Sequence, residues 1–258
     1  MGIELGGRRF FVPFIMAGDP TIEATLATVD VLVQEGADVV ELGVPFTDPL
    51  ADGPVIQGAA ERGIKSCPSL QSVLDVLRKI RDRHPKLPVV VFTYANPLFR
   101  MGFVNAARAM RAAGASAVLV VDLPPEEASE HITAMRAQDI DTIFLASPTT
   151  TPARLKLVGE ASRGFVYYVS RLGVTGAQRD LSTSLAEEVA RVRGAVKIPV
   201  AVGFGVSNGE QARAVSRFAD GVIVGSAIVD RMAKAKSDDE RLESVRALTR
   251  ELVAGVRG

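Results

Sequence analysis

The stretch ELGVPFTDPLADGP, residues 41–54, carries three carboxylates in two different settings. Glu41 lies inside an apolar run typical of a buried strand, whereas Asp48 and Asp52 follow in a loop rich in proline and glycine. Because removing a carboxylate from water is costly, a buried strand rarely carries one without a use for it. Two carboxylates in different environments are the usual arrangement for one general acid and one general base. The stretch therefore predicts acid–base chemistry by Glu41 and Asp52.

These carboxylates also have structural interpretations. Glu41 could form a salt bridge in the core, and Asp52 could belong to an Asp-Gly turn. Asp48 and Asp19 each precede a proline and are interpreted mainly as turn formers. Asp122, at the end of the fourth apolar run, is expected to steady the loop that carries Asp52 through a hydrogen bond.

The elements that must position these groups are eight strand–helix units. Short apolar runs, from FFVPFIMAG near the start to GVIVGSAI near residue 221, alternate with amphipathic stretches. This alternation predicts a parallel sheet covered by helices. Eight units in 258 residues predict a single-domain (β/α)₈ barrel over residues 1–258. An open doubly wound sheet is the alternative, but it favours a glycine-rich fingerprint after the first strand, which FIMAGDPT lacks.

In a (β/α)₈ barrel, the loops at the carboxyl ends of the strands build the active site. Strand alternation places Val39, Glu41 and Gly43 on one face. If this face is the barrel interior, Glu41 lies near the mouth, and its burial should raise its pKa. Asp52, on a loop, is expected to be better solvated and ionised.

Glycines at the ends of the seventh and eighth strands predict a phosphate site, which such barrels commonly place there. Glycine lets backbone N–H groups approach an anion closely, and a following helix start adds free donors. Ordinary turns are the alternative interpretation. The expected phosphate contacts are Gly203, Gly205, Gly225 and Ser226, joined by Thr175 and Gly176 from the loop after the sixth strand.

Apolar side chains near the strand ends predict a hydrophobic pocket beside that phosphate site. Each one alone is typical of an ordinary core, but together they favour a flat apolar ligand. The members of this set are Phe14, Ile56, Phe92, Leu119, Tyr167 and Phe204.

Composition excludes several classes of function. Lysine plus arginine and aspartate plus glutamate number 30 each, and no basic run suggests nucleic acid. The single cysteine, Cys67, excludes an internal disulfide, and both His84 and His131 are expected to be solvated, so no metal site is predicted. No apolar stretch reaches the roughly 20 residues of a membrane span, and the N-terminus lacks an apolar signal core before the first strand. A soluble, cytoplasmic protein is expected.

Several segments together carry a family resemblance. The stretch VVELGVPFTDPLADGPVIQ closely resembles the signature of the tryptophan synthase α subunits, as do VPFIMAGDP, YANPLF, SRLGVTGA and VGFGV…GSAIV. These matches run in order from about residue 11 to residue 231.

The resemblance implies a barrel enzyme that cleaves indole-3-glycerol phosphate to indole and glyceraldehyde 3-phosphate without a cofactor of its own. Glu41 matches the family's general acid, and Asp52 matches the carboxylate that accepts the indole N–H. Thr175 matches a threonine that closes on Asp52. Ring-pocket positions of the family are matched by Tyr167, Phe14, Ile56 and Phe204. Its phosphate cradle is matched by Gly176, Gly203, Gly205, Gly225 and Ser226.

The resemblance further implies a β subunit, in an α₂β₂ assembly, that holds pyridoxal phosphate and receives indole through a tunnel. The expected docking residues are Asp48, Pro49, Asn96, Pro97, Leu98, Phe99 and Pro124. Leu98 and Phe99 could instead begin the core face of a helix.

Two departures from the family pattern concern structure more than chemistry. The chain begins close to its first strand, where many relatives carry a helix under the barrel, and Thr47 stands where serine is commoner.

Two alternative functions remain. One is another phosphate-binding barrel enzyme, such as an isomerase or cyclase of histidine or tryptophan biosynthesis, and the other is a catalytically silent activator of a β partner.

Overall fold

The computed structural model describes residues 2–170, 178–203 and 205–258, without the side chains of residues 178–183. Its strands are β1 (Phe10–Met16), β2 (Val40–Gly43), β3 (Val89–Thr93), β4 (Ala117–Val120), β5 (Asp141–Ile143), β6 (Leu145–Ala146), β7 (Val166–Val169), β8 (Val200–Gly203) and β9 (Gly221–Val224). All of their pairings are parallel.

The helices cover the outside of this sheet. They are α1 (Ile22–Gln34), α2 (Pro54–Gly63), α3 (Leu70–Arg83), α4 (Ala95–Met101), α5 (Phe103–Ala113), α6 (Ser129–Arg136), α7 (Pro152–Ala161), α8 (Gln178–Ala195), α9 (Gly209–Ser216), α10 (Ser226–Lys234) and α11 (Asp238–Arg257). A short 3₁₀ turn spans Pro125–Glu127.

The strand order closes the sheet into a barrel. The order is β5-β4-β3-β2-β1-β9-β8-β7-β6, and its two terminal strands are separated in sequence only by Phe144. They are therefore two halves of one fifth strand, with β5 paired to β4 and β6 paired to β7. The predicted eight-unit (β/α)₈ barrel is confirmed.

Local sequence explains why individual helices form where they do. Helix α3 begins after Ser69, whose side chain and that of Ser72 satisfy each other's backbone N–H groups in a capping box. Its buried residues, including Leu70, Val73 and Leu77, recur at helical spacing and face the sheet.

The barrel interior holds its own apolar cluster. It includes Phe10 and Val12 of β1, Leu119 of β4 and Phe165, with Phe10 and Phe165 in ring contact at 5.7 Å. Ile3 also packs in this cluster, and its N–H donates to Asp141 Oδ2 at 2.8 Å. The segment before β1 thus covers the end of the barrel opposite the mouth.

The expectation that both histidines are solvated is wrong. His131 is only 2% exposed, because α6 places it on the same face as the buried Ala134 and Met135. Its ring meets Phe103 edge-on at 5.5 Å, and burial lowers its pKa to about 4. His84 is half-buried, with Nε2 2.6 Å from Asp30 Oδ1.

Two aspartates also bond differently from expectation. Asp122 Oδ1 accepts from Ala95 N at 2.7 Å, so it steadies the start of α4 and not the loop that carries Asp52. Asp19 does lie in a turn, but it is 1% exposed and accepts two hydrogen bonds from Arg62. In the described part of the chain, no helix is both long and apolar enough to cross a membrane.

Candidate active site

A cavity of about 840 Å³ opens at the carboxyl ends of the barrel strands. Its lining comes from seven strands, β1, β2, β3, β4, β6, β7 and β9, and from the loops after β2, β4, β6 and β8. Helices α2, α7 and α10 complete it. Most of the residues singled out from the sequence belong to this lining, namely Phe14, Glu41, Asp52, Ile56, Phe92, Tyr167, Gly205, Gly225 and Ser226.

Glu41 is a buried carboxyl that has no charge partner among the described residues. It sits in β2, in register with Phe14 on one side and Val90 on the other, and its side chain points into the cavity. It is 0% exposed, and neither carboxyl oxygen has a hydrogen-bond partner among the described residues. Burial raises its pKa to about 8, because desolvation disfavours the charged form. Near neutral pH, Glu41 therefore holds a proton that nothing else in the described site claims.

Asp52 is held at the mouth by a tyrosine. Tyr94, which directly follows β3, donates its hydroxyl to Asp52 Oδ2 at 2.9 Å. The same hydroxyl accepts from Ala51 N at 3.0 Å, and the ring stacks on Phe46 at 5.1 Å. Tyr94 thus fixes both the carboxylate and the backbone beside it.

The environment of Asp52 is less solvated than the sequence suggests. The residue is half-buried, and burial raises its pKa while the hydrogen bond from Tyr94 lowers it. Asp52 therefore differs from Glu41 both in this hydrogen bond and in its greater exposure to solvent.

The apolar side of the cavity is built by aromatic rings. Phe14 and Phe92 meet edge-on at 5.0 Å, and Ile56 of α2 packs in the same cluster as Phe14. Burial, together with the charges of Glu41 and Asp52, raises the pKa of Tyr167 well above its usual value. The Tyr167 hydroxyl is therefore neutral and lies near both carboxyl groups.

Two predicted contacts lie below the lining of the cavity. Leu119 is fully buried in the interior cluster. Gly203 leaves room for Tyr167, since a Cβ built at Gly203 would lie 2.3 Å from the Tyr167 hydroxyl oxygen. The structure thus gives Gly203 a packing role beneath the pocket.

The predicted phosphate end of the cavity combines a left-handed glycine with a helix start. Gly205 has φ +84°, and Gly225 precedes α10, whose first residue is Ser226. The first N–H groups of a helix have no acceptor within the helix, so they are available to an anion. Asp230 of α10 also lines this end, where its carboxylate accepts from Lys234 Nζ at 2.7 Å. Thr175, Gly176 and Phe204 lie outside the described residues.

Sequence reasoning did not single out Tyr94, Gln57 or Asp230. Tyr94 belongs to the YANPLF segment, where its position at a strand end was the available signal. Gln57 closes the VVELGVPFTDPLADGPVIQ segment. Asp230 carries no comparable signal, because it reads as an ordinary helical surface residue.

The predicted docking residues fall into exposed and buried sets. Phe99 is 60% exposed, whereas Leu98 is 0% exposed and packs in the main core, so Leu98 is wrong as a contact residue. Leu50, which the sequence did not single out, is 93% exposed. The others are exposed or half-exposed, namely Asp48, Pro49, Asn96, Pro97 and Pro124.

No group of three or more histidine, cysteine, aspartate or glutamate side chains suited to a metal ion occurs among residues 2–170, 178–203 and 205–258.

Comparison with known proteins gives one consistent family. The family model described as "Tryptophan synthase alpha chain" matches residues 4–257. The tryptophan synthase alpha chain of Burkholderia thailandensis is 46% identical over 252 residues, covering 97% of this chain and 91% of that protein. The alpha chain of Chromobacterium violaceum is 43% identical over 254 residues, covering 98% and 97%.

Solved structures agree with the sequence comparison. Tryptophan synthase subunit alpha from Legionella pneumophila superposes with a TM-score of 0.88 at 35% identity, covering 96% of this chain and 92% of that one. A Mycobacterium tuberculosis tryptophan synthase chain gives a TM-score of 0.88 at 38% identity, covering 100% of both chains. The chain therefore belongs to the tryptophan synthase alpha chain family and is a lyase of tryptophan biosynthesis.

Proposed function

We propose that this chain cleaves indole-3-glycerol phosphate to indole and glyceraldehyde 3-phosphate by a retro-aldol reaction. The observation that carries the proposal is the buried carboxyl of Glu41, which accepts no hydrogen bond from the described residues and lines the same cavity as the Tyr94-bound carboxylate of Asp52. A protonated acid and a charged acceptor at one cavity are what this cleavage requires.

Glu41 moves the protons in the proposed mechanism. It donates its proton to ring carbon C3, which creates a positively charged indolenine. The C3–C3′ bond then breaks, and its electron pair returns to the ring as the 3′-hydroxyl becomes the aldehyde. Glu41 takes the proton of that hydroxyl, so it ends the cycle as it began. A pKa raised to about 8 by burial keeps it protonated at the start of each cycle.

Asp52 stabilises the positive charge in the proposed mechanism. Its carboxylate accepts the indole N–H, and the charge on the ring nitrogen grows as C3 is protonated. The interaction is therefore stronger in the transition state than in the ground state, which is the condition for it to accelerate the reaction. The Tyr94 hydrogen bond supports this role because it favours the ionised form of Asp52.

The two ends of the cavity match the two ends of the substrate. Phe14, Phe92 and Ile56 offer an apolar slot for the indole ring. Gly205 and the start of α10 offer backbone donors for the phosphate. Gly205→Val would force a bulky side chain into a left-handed conformation. We therefore expect much weaker binding of glycerol phosphate by calorimetry, and unchanged affinity in a folded variant would move the phosphate site elsewhere.

The chain is proposed to work in the cytoplasm without a cofactor of its own, in an α₂β₂ assembly whose β subunit holds pyridoxal phosphate. Family membership implies the β partner. The exposed side chains of Leu50 and Phe99 supply an apolar surface beside the cavity mouth. This surface supports docking of the β subunit at the cavity mouth. Indole would then pass through the mouth to reach the partner.

The decisive experiment measures indole release and substrate binding by the isolated chain and by Glu41→Gln and Asp52→Asn. Glutamine keeps the shape of Glu41 but cannot transfer its proton, so turnover should fall by about 10² to 10⁴-fold with substrate binding largely retained. Asp52→Asn should lose most activity, because an amide does not stabilise the ring cation as an anion does.

Matched controls are Glu23→Gln on the surface of α1 and Asp48→Asn in the same loop as Asp52. Both should keep wild-type turnover. A Glu41→Gln variant that keeps more than about a tenth of the turnover would make Glu41 structural. Absence of indole release from the wild-type chain, alone and with a β subunit, would favour a silent activator.

A further inference from the structure

We infer that Gln57 is a positioning residue that holds the turn carrying Asp52 in its active conformation. This inference rests on the proposed function, because it gives Asp52 a catalytic role. Gln57 lies in α2 and does not belong to the described lining of the cavity, so it acts through the turn and not on the substrate.

The Gln57 side-chain amide is tied to the main chain of this turn. Its Nε2 donates to the carbonyl oxygen of Asp52 at 2.8 Å and lies 3.5 Å from the carbonyl oxygen of Pro49. Asp52 N donates to the same Pro49 carbonyl at 3.0 Å. One amide therefore reaches both ends of the turn from Pro49 to Asp52.

Helix α2 gives this amide a fixed base. Ile56, Ala59 and Ala60 of α2 are buried against Phe14 and other side chains at the barrel mouth. Because packing fixes the helix that carries Gln57, the position of its amide is set by the barrel and not by the loop.

The far end of α2 is anchored by charge. Arg62 donates from Nε and a terminal nitrogen to the two carboxyl oxygens of Asp19, at 2.6 and 2.8 Å. Asp19 is almost completely buried in the loop after β1. The turn is thereby connected through α2 to the end of β1.

Tyr94 binds other atoms of the same turn. That residue binds the Asp52 carboxylate and the Ala51 N–H, whereas Gln57 binds the Asp52 carbonyl. The two contacts are therefore complementary. Without Gln57, the turn keeps its hydrogen bonds to Tyr94 but loses the side-chain contact that fixes the Asp52 peptide to α2.

The alternative is that Gln57 only stabilises the start of α2. It is half-buried and lies in the first turn of that helix, so its loss would then lower stability without a specific effect on chemistry. The two interpretations differ in one respect. The effect of a positioning residue on turnover depends on the presence of Asp52, whereas the effect of a merely structural residue does not.

The experiment combines Gln57→Met, which keeps the side-chain length but has no donor, with Asp52→Asn in a double-mutant cycle. The isolated chain is assayed for indole release from indole-3-glycerol phosphate at saturating substrate, and urea unfolding confirms the fold. Displacement of a catalytic group by about 1 Å costs up to roughly 100-fold. We therefore expect kcat of Gln57→Met to fall by about 10 to 100-fold, with KM changed much less.

In the Asp52→Asn background, Gln57→Met should change the residual turnover less than about twofold, because the group that it positions is already gone. The control is Gln71→Met on α3, whose amide donates to the exposed Asp75 side chain, and it should leave kcat unchanged. If Gln57→Met does not fold, Gln57→Asn takes its place, since it keeps the amide but is one methylene too short to reach the Asp52 carbonyl.

The outcomes separate this inference from the function on which it rests. If the wild-type chain is active and Asp52→Asn is not, wild-type kcat in the Gln57 variants would overturn the inference alone. Equal losses in both backgrounds would also overturn it, because Gln57 would then act independently of Asp52. If Asp52→Asn remains fully active, the proposed role of Asp52 fails, and the positioning role fails with it.

Discussion

Replacing Glu41 with glutamine should change how the stability of the fold depends on pH. The usual pKa of a glutamate, 4.5, is raised to about 8 in the folded protein by burial. Below pH 4.5 both the folded and the unfolded chain hold the proton, so ionisation contributes nothing to the balance. Between pH 4.5 and about 8 the unfolded chain releases it while the folded chain keeps it, and the free energy of unfolding falls as pH rises.

The size of this effect follows from the same two values. The pKa difference between 4.5 and about 8 corresponds to roughly 5 kcal/mol of unfolding free energy, because each pKa unit contributes about 1.4 kcal/mol. About two-thirds of that loss is reached by pH 7, and the whole of it above pH 8. Glutamine does not ionise, so the Glu41→Gln variant should not show this loss.

The assay is urea unfolding of the wild-type chain and of Glu41→Gln at pH 5, 7 and 8.5. Contributions from other groups are common to both proteins and cancel in the difference. The variant should gain stability relative to the wild type from pH 5 to pH 8.5, by several kcal/mol in total. The exposed substitution Glu23→Gln is the control and should give a flat difference. A flat difference for Glu41→Gln would refute the reasoning, because Glu41 would then be ionised in the folded chain.

Three further substitutions test the packing, the ion pair and the docking surface. Arg62→Met should lower the free energy of unfolding by about 3 kcal/mol, because it leaves the buried Asp19 carboxylate unpaired. Gly203→Ala should cost about 1–3 kcal/mol in thermal or urea unfolding, because its Cβ overlaps Tyr167, and adding Tyr167→Leu should recover most of the loss. Phe99→Asp should weaken binding of a β subunit by about tenfold or more in calorimetry, with the isolated chain still folded.

Each of these substitutions has its own control and contrary result. Arg250→Met removes an exposed arginine whose partner Glu35 keeps a second pair with Arg246, so it should cost less than about 1 kcal/mol. Equal losses for Arg62→Met would mean that leaving Asp19 unpaired is unimportant. If the double variant Gly203→Ala/Tyr167→Leu is no more stable than Gly203→Ala, the overlap with Tyr167 is not the cause of the lost stability. Leu157→Asp, on exposed α7, should leave partner binding unchanged, and an unfolded Phe99→Asp chain would favour the core interpretation of Phe99.

The order of the elements was open to prediction from the sequence, because it depends on apolar periodicity. Strand alternation also placed Val39, Glu41 and Gly43 on one face, and Val39 does lie in the interior cluster. The division of the fifth strand into β5 and β6 around Phe144 was not visible, since the residues on both sides are apolar. The last apolar run, GVIVGSAI, extends beyond the strand, which ends at Val224, because Ser226 already begins α10.

The wrong expectations share one physical cause. His131 lies in a polar helical stretch whose composition predicts exposure, and Leu98 was expected on a solvated loop at the barrel mouth. The helices turn each of them toward the core, where both are almost completely buried. Which face of a helix is buried depends on its packing against the neighbouring elements, and short helices such as α4 carry too few residues to show the pattern in sequence.

The two carboxylates show where sequence reasoning ends and structure is needed. Their spacing, with one residue on a strand and one on a loop, predicts that they differ in environment, but not what makes them differ. Burial raises the pKa of both, so solvation alone does not separate an acid from a base here.

The two carboxyl groups differ instead in the residues around them. Glu41 is on a strand paired on both sides, its oxygens accept no hydrogen bond from the described residues, and this favours its protonated form. Asp52 is on a turn that both Tyr94 and Gln57 bind, and the tyrosine proton favours the carboxylate anion. The assignment of acid and cation-stabilising carboxylate therefore depends on Tyr94, which carries no part of the proposed reaction itself.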